Sequence, residues 1–153
     1  MQFNLILKTY KMLLFIAVTF IILCNNIFAM EEPKELIITD LEVGNGRIAV
    51  NGKEVAVHYT GWLYDSKKEA KDFCDAKGSQ FDSSLERGMP FQLALGQGMV
   101  IKGWEEGLIG MKEDGKRCLV IPPSMGYGNR AVGNGLIPAN STLIFEIILL
   151  GVR

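Results

Sequence analysis

The sequence predicts an α+β domain in which several β-strands pack with one short α-helix. Two observations carry this prediction. Short apolar segments rich in β-branched and aromatic residues recur between turn signals from residue 36 to residue 151. One segment, residues 100–115, instead spaces its apolar residues at helical intervals. The chain has 153 residues, which is enough for one domain of ordinary size.

Five segments are predicted as strands from their alternating or continuous apolar character. In the second of them, Val55, Val57 and Tyr59 fall on one side of the strand. Phe145 lies in a similar row in the last strand, so we expect the core on one face of the sheet. The five predicted strands are residues 36–41, 54–63, 90–95, 116–121 and 141–151.

The helical segment places Ile101, Trp104 and Leu108 on one stripe. Gly103 and Gly107 each weaken helix formation by about 1 kcal/mol relative to alanine, so tertiary packing must hold the helix. Glycines at these positions indicate close approach of the backbone to a neighbour, either the sheet or a ligand.

The first 29 residues have the layout of a secretory signal peptide. They contain no Asp or Glu, and Lys8 and Lys11 precede an apolar run from Met12 to Leu23. This run is shorter than the roughly 20 residues that cross a bilayer. We predict cleavage after Ala29, with an uncleaved membrane anchor as the next interpretation and lipidation of Cys24 as the last.

The expected organisation is a signal peptide at residues 1–29, a flexible arm at residues 30–35 and a single domain at residues 36–153. The 16 basic and 17 acidic side chains give a net charge of -1, which argues against nucleic acid as a partner. After cleavage the chain keeps Cys74 and Cys118. They either form a disulfide, as an oxidising compartment allows, or remain thiols.

The residues exclude several kinds of chemistry. His58 is the only histidine and lies inside a predicted strand, where it is interpreted as a structural hydrogen-bonding residue rather than part of a catalytic relay. No Cys/His spacing predicts a zinc site, and no glycine-rich passage has the phosphate-loop pattern. Six aromatic residues are distributed along the sequence, and they form either the core or a binding pocket. They are Tyr59, Phe81, Phe91, Trp104, Tyr127 and Phe145.

Five motifs in this order resemble the FKBP-type peptidyl-prolyl cis-trans isomerases, particularly the bacterial exported members. The resemblance covers residues 36–153 and implies a curved antiparallel sheet wrapped around one short helix, with a proline pocket between them. The motifs are VHYTGWLYD (57–65), FDSSLERGMPFQLALG (81–96), VIKGWEEGLIGM (100–111), KRCLVIPPSMGYG (116–128) and LIPANSTLIFEIILLGV (136–152).

The resemblance implies a role for each matching residue. Trp104 would form the floor under the proline ring, and Val100 and Ile101 would form the rim. The Ile101 N–H and the Tyr127 hydroxyl would each donate to a carbonyl of the substrate or inhibitor, and Asp82 would lie beside the twisting amide. The walls and the rest of the apolar enclosure would come from Tyr59, Phe91, Phe145, Phe81 and Ile137.

The resemblance also implies the activity. The expected enzyme is a monomeric isomerase of X-Pro bonds that needs no metal or cofactor. It would act on unfolded or nascent proline-containing chains, bind macrolides of the rapamycin type, and be periplasmic or secreted, or else tethered by an uncleaved leader. The alternative is a proline-binding chaperone or docking module with little turnover.

The segment at residues 65–80 is longer than the corresponding segment of the minimal family members, and it is mostly charged. We therefore expect it to form either a solvated surface loop or a flap that contacts substrate.

Overall fold

The computed structural model describes residues 31–153; the leader and cleavage-site predictions fall on residues outside this range. The predicted fold class is confirmed, since antiparallel strands surround one short helix. The strands are β1 (Ile37–Glu42), β2 (Glu54–Tyr64), β3 (Lys77–Ser83), β4 (Phe91–Ala94), β5 (Lys116–Ile121) and β6 (Leu143–Val152); the helix is α1 (Lys102–Gly107), and a 3-10 turn spans Pro123–Met125.

All the strands belong to one antiparallel sheet in the order β1-β5-β6-β2-β3, and β4 also pairs with β2. The two longest strands, β2 and β6, lie side by side, with Gly61 opposite Phe145. The first part of β2 pairs with β4 as far as Val57, and its later part pairs with β3 from Thr60 onward. Tyr59 therefore lies where β2 changes partner.

The face of the sheet that packs on α1 holds the main core. Trp104 and Leu108 from the helix region contact a cluster that includes Leu119, Ile121 and Ile147, all inaccessible to solvent or nearly so. The chain thereby removes these apolar side chains from water, at about 25 cal/mol per Å² of apolar surface. Packing, rather than intrinsic helicity, holds a helix of six residues.

The two helix glycines contact the sheet. A Cβ atom on Gly103 would lie 2.5 Å from a methyl group of Ile121, and one on Gly107 would lie 2.6 Å from a methyl group of Leu119. The backbone of α1 can approach β5 only because these side chains are missing. Of the two neighbours that the sequence allowed, the sheet is the one that these glycines face.

The opposite face of the sheet is also partly buried, which corrects the expectation of a one-sided core. Cys118, Val120 and Ile144 point to this outer face and have no exposed surface. Cys74 forms a disulfide with Cys118 across 44 residues of sequence. The disulfide therefore fastens the chain segment before β3 onto the outer face, and the two cysteines are a pair rather than free thiols.

The charged segment at residues 65–80 is therefore only in part a solvated loop. Its last residues begin β3, a strand that the sequence did not predict. Lys77 forms an ion pair with Glu146 of β6 and lies 5.0 Å from the centre of the Trp62 ring. None of residues 65–80 lines the main pocket.

A carboxylate on the loop before β5 joins the segment between β1 and β2 to the end of β6. Glu113 accepts hydrogen bonds from the Arg47 side chain at 3.0 Å and from the Val152 backbone N–H at 2.6 Å. These bonds from Arg47 and from the backbone lower the pKa of Glu113 from 4.5 to about 2.

Among residues 31–153, no helix is long and apolar enough to cross a membrane.

Candidate active site

A pocket of about 500 Å³ opens between α1 and the sheet. It is larger than two further cavities of about 300 and 50 Å³, and it is walled by aromatic rings from β2, β3, β4 and β6. Its lining residues are Tyr59, Phe81, Asp82, Phe91, Gly98, Met99, Val100, Ile101, Trp104, Gly126, Tyr127, Arg130 and Phe145.

Edge-to-face contacts fix the aromatic rings around Trp104, which is almost completely buried. The Trp104 ring centre lies 5.0 Å from that of Tyr59 and 5.3 Å from that of Phe145, with the ring planes nearly perpendicular. Phe81 packs in the same manner on Phe145 at 5.5 Å. Such pairs contribute about 0.5–1.5 kcal/mol beyond their buried area. The pocket is thus held open by rings that support one another.

Asp82 lies at the pocket wall in an ion pair with Arg87 and accepts a hydrogen bond from the Tyr59 hydroxyl. Arg87 also donates to the Tyr59 oxygen at 2.9 Å and lies over the Tyr59 ring. Burial opposes ionisation of Asp82, but the bonds from Tyr59 and Arg87 outweigh it and lower its pKa. Burial and the bond to Asp82 raise the pKa of Tyr59. The pair Asp82 and Arg87 is therefore a neutral, pre-formed unit.

Arg87 was missed by the sequence reasoning. It lies in the motif FDSSLERGMPFQLALG, five residues after Asp82. The available signal was the carboxylate itself, because a partly buried carboxylate is stable only when a cation or several donors accompany it.

Among the hydrogen-bond donors of the pocket lining, the Tyr127 hydroxyl and the Ile101 backbone N–H have no protein acceptor within residues 31–153, and neither has the buried indole N–H of Trp104. Tyr127 follows the 3-10 turn, and Ile101 is the residue that precedes α1. Burial, with a contribution from the charge of Asp82, raises the pKa of Tyr127, so its hydroxyl stays protonated. Both groups can donate to carbonyl oxygens of a bound molecule.

Glu105 holds the segment that carries the pocket rim, a role that the sequence reasoning did not predict. Its carboxylate accepts the backbone N–H of Gly96 at 2.5 Å and that of Met99 at 3.1 Å. Both donors lie in the turn between β4 and the rim residues. The helix thereby fixes the position of residues 96–101.

The structure brings all but one of the predicted site residues to the pocket lining. Ile137 is the exception: it is buried in the core, and its backbone N–H donates to the Val132 carbonyl at 3.1 Å. Its side chain belongs to the core cluster that also includes Trp104 and Phe145. The lining also includes residues that were not predicted, namely Gly98, Met99, Gly126 and Arg130.

An antiparallel sheet around one short helix, with an aromatic pocket between them, is the architecture that the resemblance to the FKBP-type isomerases implies. The family model described as FKBP-type peptidyl-prolyl cis-trans isomerase matches residues 45–150. The chain therefore belongs to the FKBP-type peptidyl-prolyl cis-trans isomerases, which are enzymes of the isomerase class.

Individual relatives agree with this assignment. The FK506-binding protein of Neisseria meningitidis serogroup A is 55% identical over 117 residues, covering 76% of this chain and 95% of that protein. The crystal structure of AtFKBP13 matches with a TM-score of 0.64 at 37% identity over 80% of this chain and 96% of that one. The crystal structure of FkpA from Escherichia coli matches with a TM-score of 0.62 at 39% identity, over 77% of this chain and 48% of that one.

Proposed function

We propose that the pocket accelerates rotation about X-Pro bonds of exported proteins by non-covalent binding of the twisted amide. The observation that carries this proposal is the composition of the pocket. Its lining combines five aromatic rings around Trp104 with hydrogen-bond donors that have no protein acceptor, among them the Tyr127 hydroxyl and the Ile101 N–H, and includes no serine, threonine, cysteine, histidine or lysine. Such a site suits a reaction that breaks no covalent bond.

The reaction itself needs no nucleophile. Amide resonance sets a barrier of about 18–20 kcal/mol to rotation about a peptide bond, and X-Pro bonds cross it only in tens to hundreds of seconds. The twisted transition state has lost that resonance and is less polar across the C–N bond than the planar amide. An apolar, water-poor pocket therefore binds it in preference to the ground state. A barrier lowered by about 7 kcal/mol accelerates rotation on the order of 10⁵-fold.

Each polar group has a role in this mechanism. The proline ring rests on Trp104, while the Ile101 N–H and the Tyr127 hydroxyl donate to peptide carbonyls on either side. These bonds hold the chain while the amide turns. Asp82, kept ionised by Arg87 and Tyr59, lies beside the rotating carbonyl. The Tyr59 ring packs edge to face on Trp104 and on Phe145, with ring centres 5.0 and 6.1 Å apart, and these contacts support the geometry of the pocket.

The exported context has two supports. The layout of residues 1–29 is that of a cleaved leader. The disulfide between Cys74 and Cys118 forms and persists in oxidising compartments and is rare in reducing ones. We infer that the mature enzyme works as a monomer in the periplasm or outside the cell on newly translocated chains.

A protease-coupled isomerisation assay with short proline peptides tests the mechanism. We expect Tyr127→Phe to lower kcat/KM about two- to tenfold, because one hydrogen bond of about 0.5–1.5 kcal/mol is lost. Asp82→Ala should lower it further, since Arg87 is left without its partner. Asp75→Ala removes an exposed carboxylate away from the pocket and is the matched control.

Urea unfolding of the same variants separates catalysis from folding. For the Asp82 and Tyr127 variants, kcat/KM should fall by more than the loss of folded protein explains. A fall in kcat/KM that equals the fall in the folded fraction would mean that Asp82 and Tyr127 are structural. A purified domain that binds rapamycin yet accelerates no peptide would instead be the docking module considered as the alternative.

A further inference from the structure

The polar groups of the pocket are unequally divided between donors and acceptors. The Ile101 N–H and the Tyr127 hydroxyl are free to donate, and Arg130 adds a guanidinium with five N–H donors. The one carboxylate, Asp82, already accepts from Arg87 and from Tyr59 through both of its oxygens. A ligand that satisfies this pocket must therefore bring acceptors.

Arg130 is also the uncompensated charge of the pocket. Its backbone N–H donates to the Tyr127 carbonyl at 3.3 Å, which places it on the turn that carries the Tyr127 donor. Its side chain is exposed, and within residues 31–153 it makes no ion pair and no side-chain hydrogen bond. The charge of Asp82 is balanced by Arg87. Among the residues that line the pocket, Arg130 is therefore the charged side chain without a charged partner.

Two backbone carbonyls of a peptide can accept hydrogen bonds from the Ile101 N–H and the Tyr127 hydroxyl. A neutral peptide, however, leaves the positive charge of Arg130 without a partner of opposite charge. Guanidinium groups bind carboxylates in a planar, two-bonded geometry that a carbonyl does not reproduce. The group that complements the Arg130 guanidinium is therefore a carboxylate, on a residue of the peptide that lies close to the proline.

We propose that Arg130 is a specificity-determining residue that makes this enzyme prefer proline segments with an acidic side chain beside the X-Pro bond. This inference rests on the proposed function and narrows its substrate class. Arg130 acts on binding of the flanking segment, while the rings and the Tyr127 donor act on the proline and its amide.

The size of the preference for acidic peptides follows from the exposure of the Arg130 side chain. An exposed ion pair gains modest Coulomb energy in water, which corresponds to about a two- to fivefold preference at low salt. The Debye length shrinks from about 10 Å at 0.1 M salt to about 3 Å at 1 M, so the preference must fade as salt is added. A preference based on shape alone would not respond in this way.

The test compares pairs of proline peptides that differ by Glu against Gln, placed in turn at the two positions before and the two positions after the proline. The readout is the ratio of kcat/KM for the Glu peptide to that for the Gln peptide, at low salt and at 1 M salt. The enzymes are the wild type, Arg130→Gln, Arg130→Glu, and Lys71→Gln as a control that removes an exposed positive charge outside the pocket.

At one or more positions, we expect the wild-type ratio to be about two to five at low salt and to approach one at 1 M. Arg130→Gln should bring the ratio to about one at low salt, Arg130→Glu should bring it below one, and Lys71→Gln should leave it as in the wild type. If Arg130 has a purely structural role, its variants should lower kcat/KM for the Glu and the Gln peptides alike and preserve the ratio. This result would overturn the inference.

Two further outcomes are distinct. An enzyme that isomerises the Gln peptides but shows no Glu preference at any position overturns the inference and leaves the proposed function intact. An enzyme that accelerates none of the peptides overturns the proposed function and this inference with it.

Discussion

Removal of the disulfide should destabilise the domain by about 2–4 kcal/mol. Cys74 and Cys118 close a loop of 44 residues. The entropy that such a crosslink removes from the unfolded chain corresponds to about 4 kcal/mol at 25 °C in the loop-closure model. Domains of this size are stable by about 5–15 kcal/mol in total, so one crosslink accounts for a large share.

The double variant Cys74→Ala/Cys118→Ala is the suitable perturbation. Both positions are buried, and alanine avoids the unsatisfied hydroxyl that serine would place there. Urea unfolding followed by tryptophan fluorescence should show a fall of about 2–4 kcal/mol, with a midpoint lower by about 1–3 M. Each single alanine variant should behave like the double variant, since either one removes the crosslink.

Two results would refute this reasoning. Titration of two free thiols in the unreduced folded domain would mean that the crosslink does not form. A double variant within about 1 kcal/mol of the wild type would mean that the crosslink forms but does not restrict the unfolded chain.

Three further predictions concern single residues. Gly103→Ala should destabilise the domain by about 1–3 kcal/mol despite better helix propensity, because its Cβ would lie 2.5 Å from Ile121; urea unfolding measures this. Glu113→Gln should destabilise at neutral pH, and the difference should vanish as pH falls from 4.5 toward 2, because a lowered folded-state pKa stabilises only while the carboxylate is ionised; acid unfolding measures this. Gly61→Ala should lower isomerase activity more than stability, because its Cβ would lie 2.6 Å from the Phe81 ring; paired kinetic and unfolding data measure this.

Each of these has a contrary outcome. A stabilised Gly103→Ala variant would show that helix propensity outweighs packing at this position. A Glu113→Gln gap that stays constant between pH 7 and pH 2.5 would remove the carboxylate from the acid response. Unchanged kinetics in Gly61→Ala would mean that the Phe81 ring can shift without cost to the pocket.

The strands at the end of the chain were predictable because they are runs of β-branched and apolar residues. Residues 116–121 coincide with β5, and β6 begins two residues after the predicted start at residue 141. β3 was not predictable in the same way: it begins Lys-Gly-Ser-Gln, which has low strand propensity. Pairing with β2 and the nearby ion pair of Lys77 hold it as a strand, and these are tertiary interactions that no local pattern contains.

The pocket followed a similar division. The aromatic positions could be inferred because they lie in recognisable motifs. Arg87, Glu105 and Arg130 could not, because their roles depend on which backbone N–H or carboxylate faces them after folding. Ile137 illustrates the reverse case, since its motif matches while its side chain is used by the core.

The outer face of the sheet has a consequence for engineering. It holds the disulfide and the Lys77, Glu146 and Lys116 ion pairs, whereas no residue of the segment that covers it lines the pocket. The disulfide and the candidate active site thus lie on opposite sides of one sheet. The exposed loop at residues 66–69 is accordingly a natural attachment point for a label or a fused domain that leaves the proline pocket open.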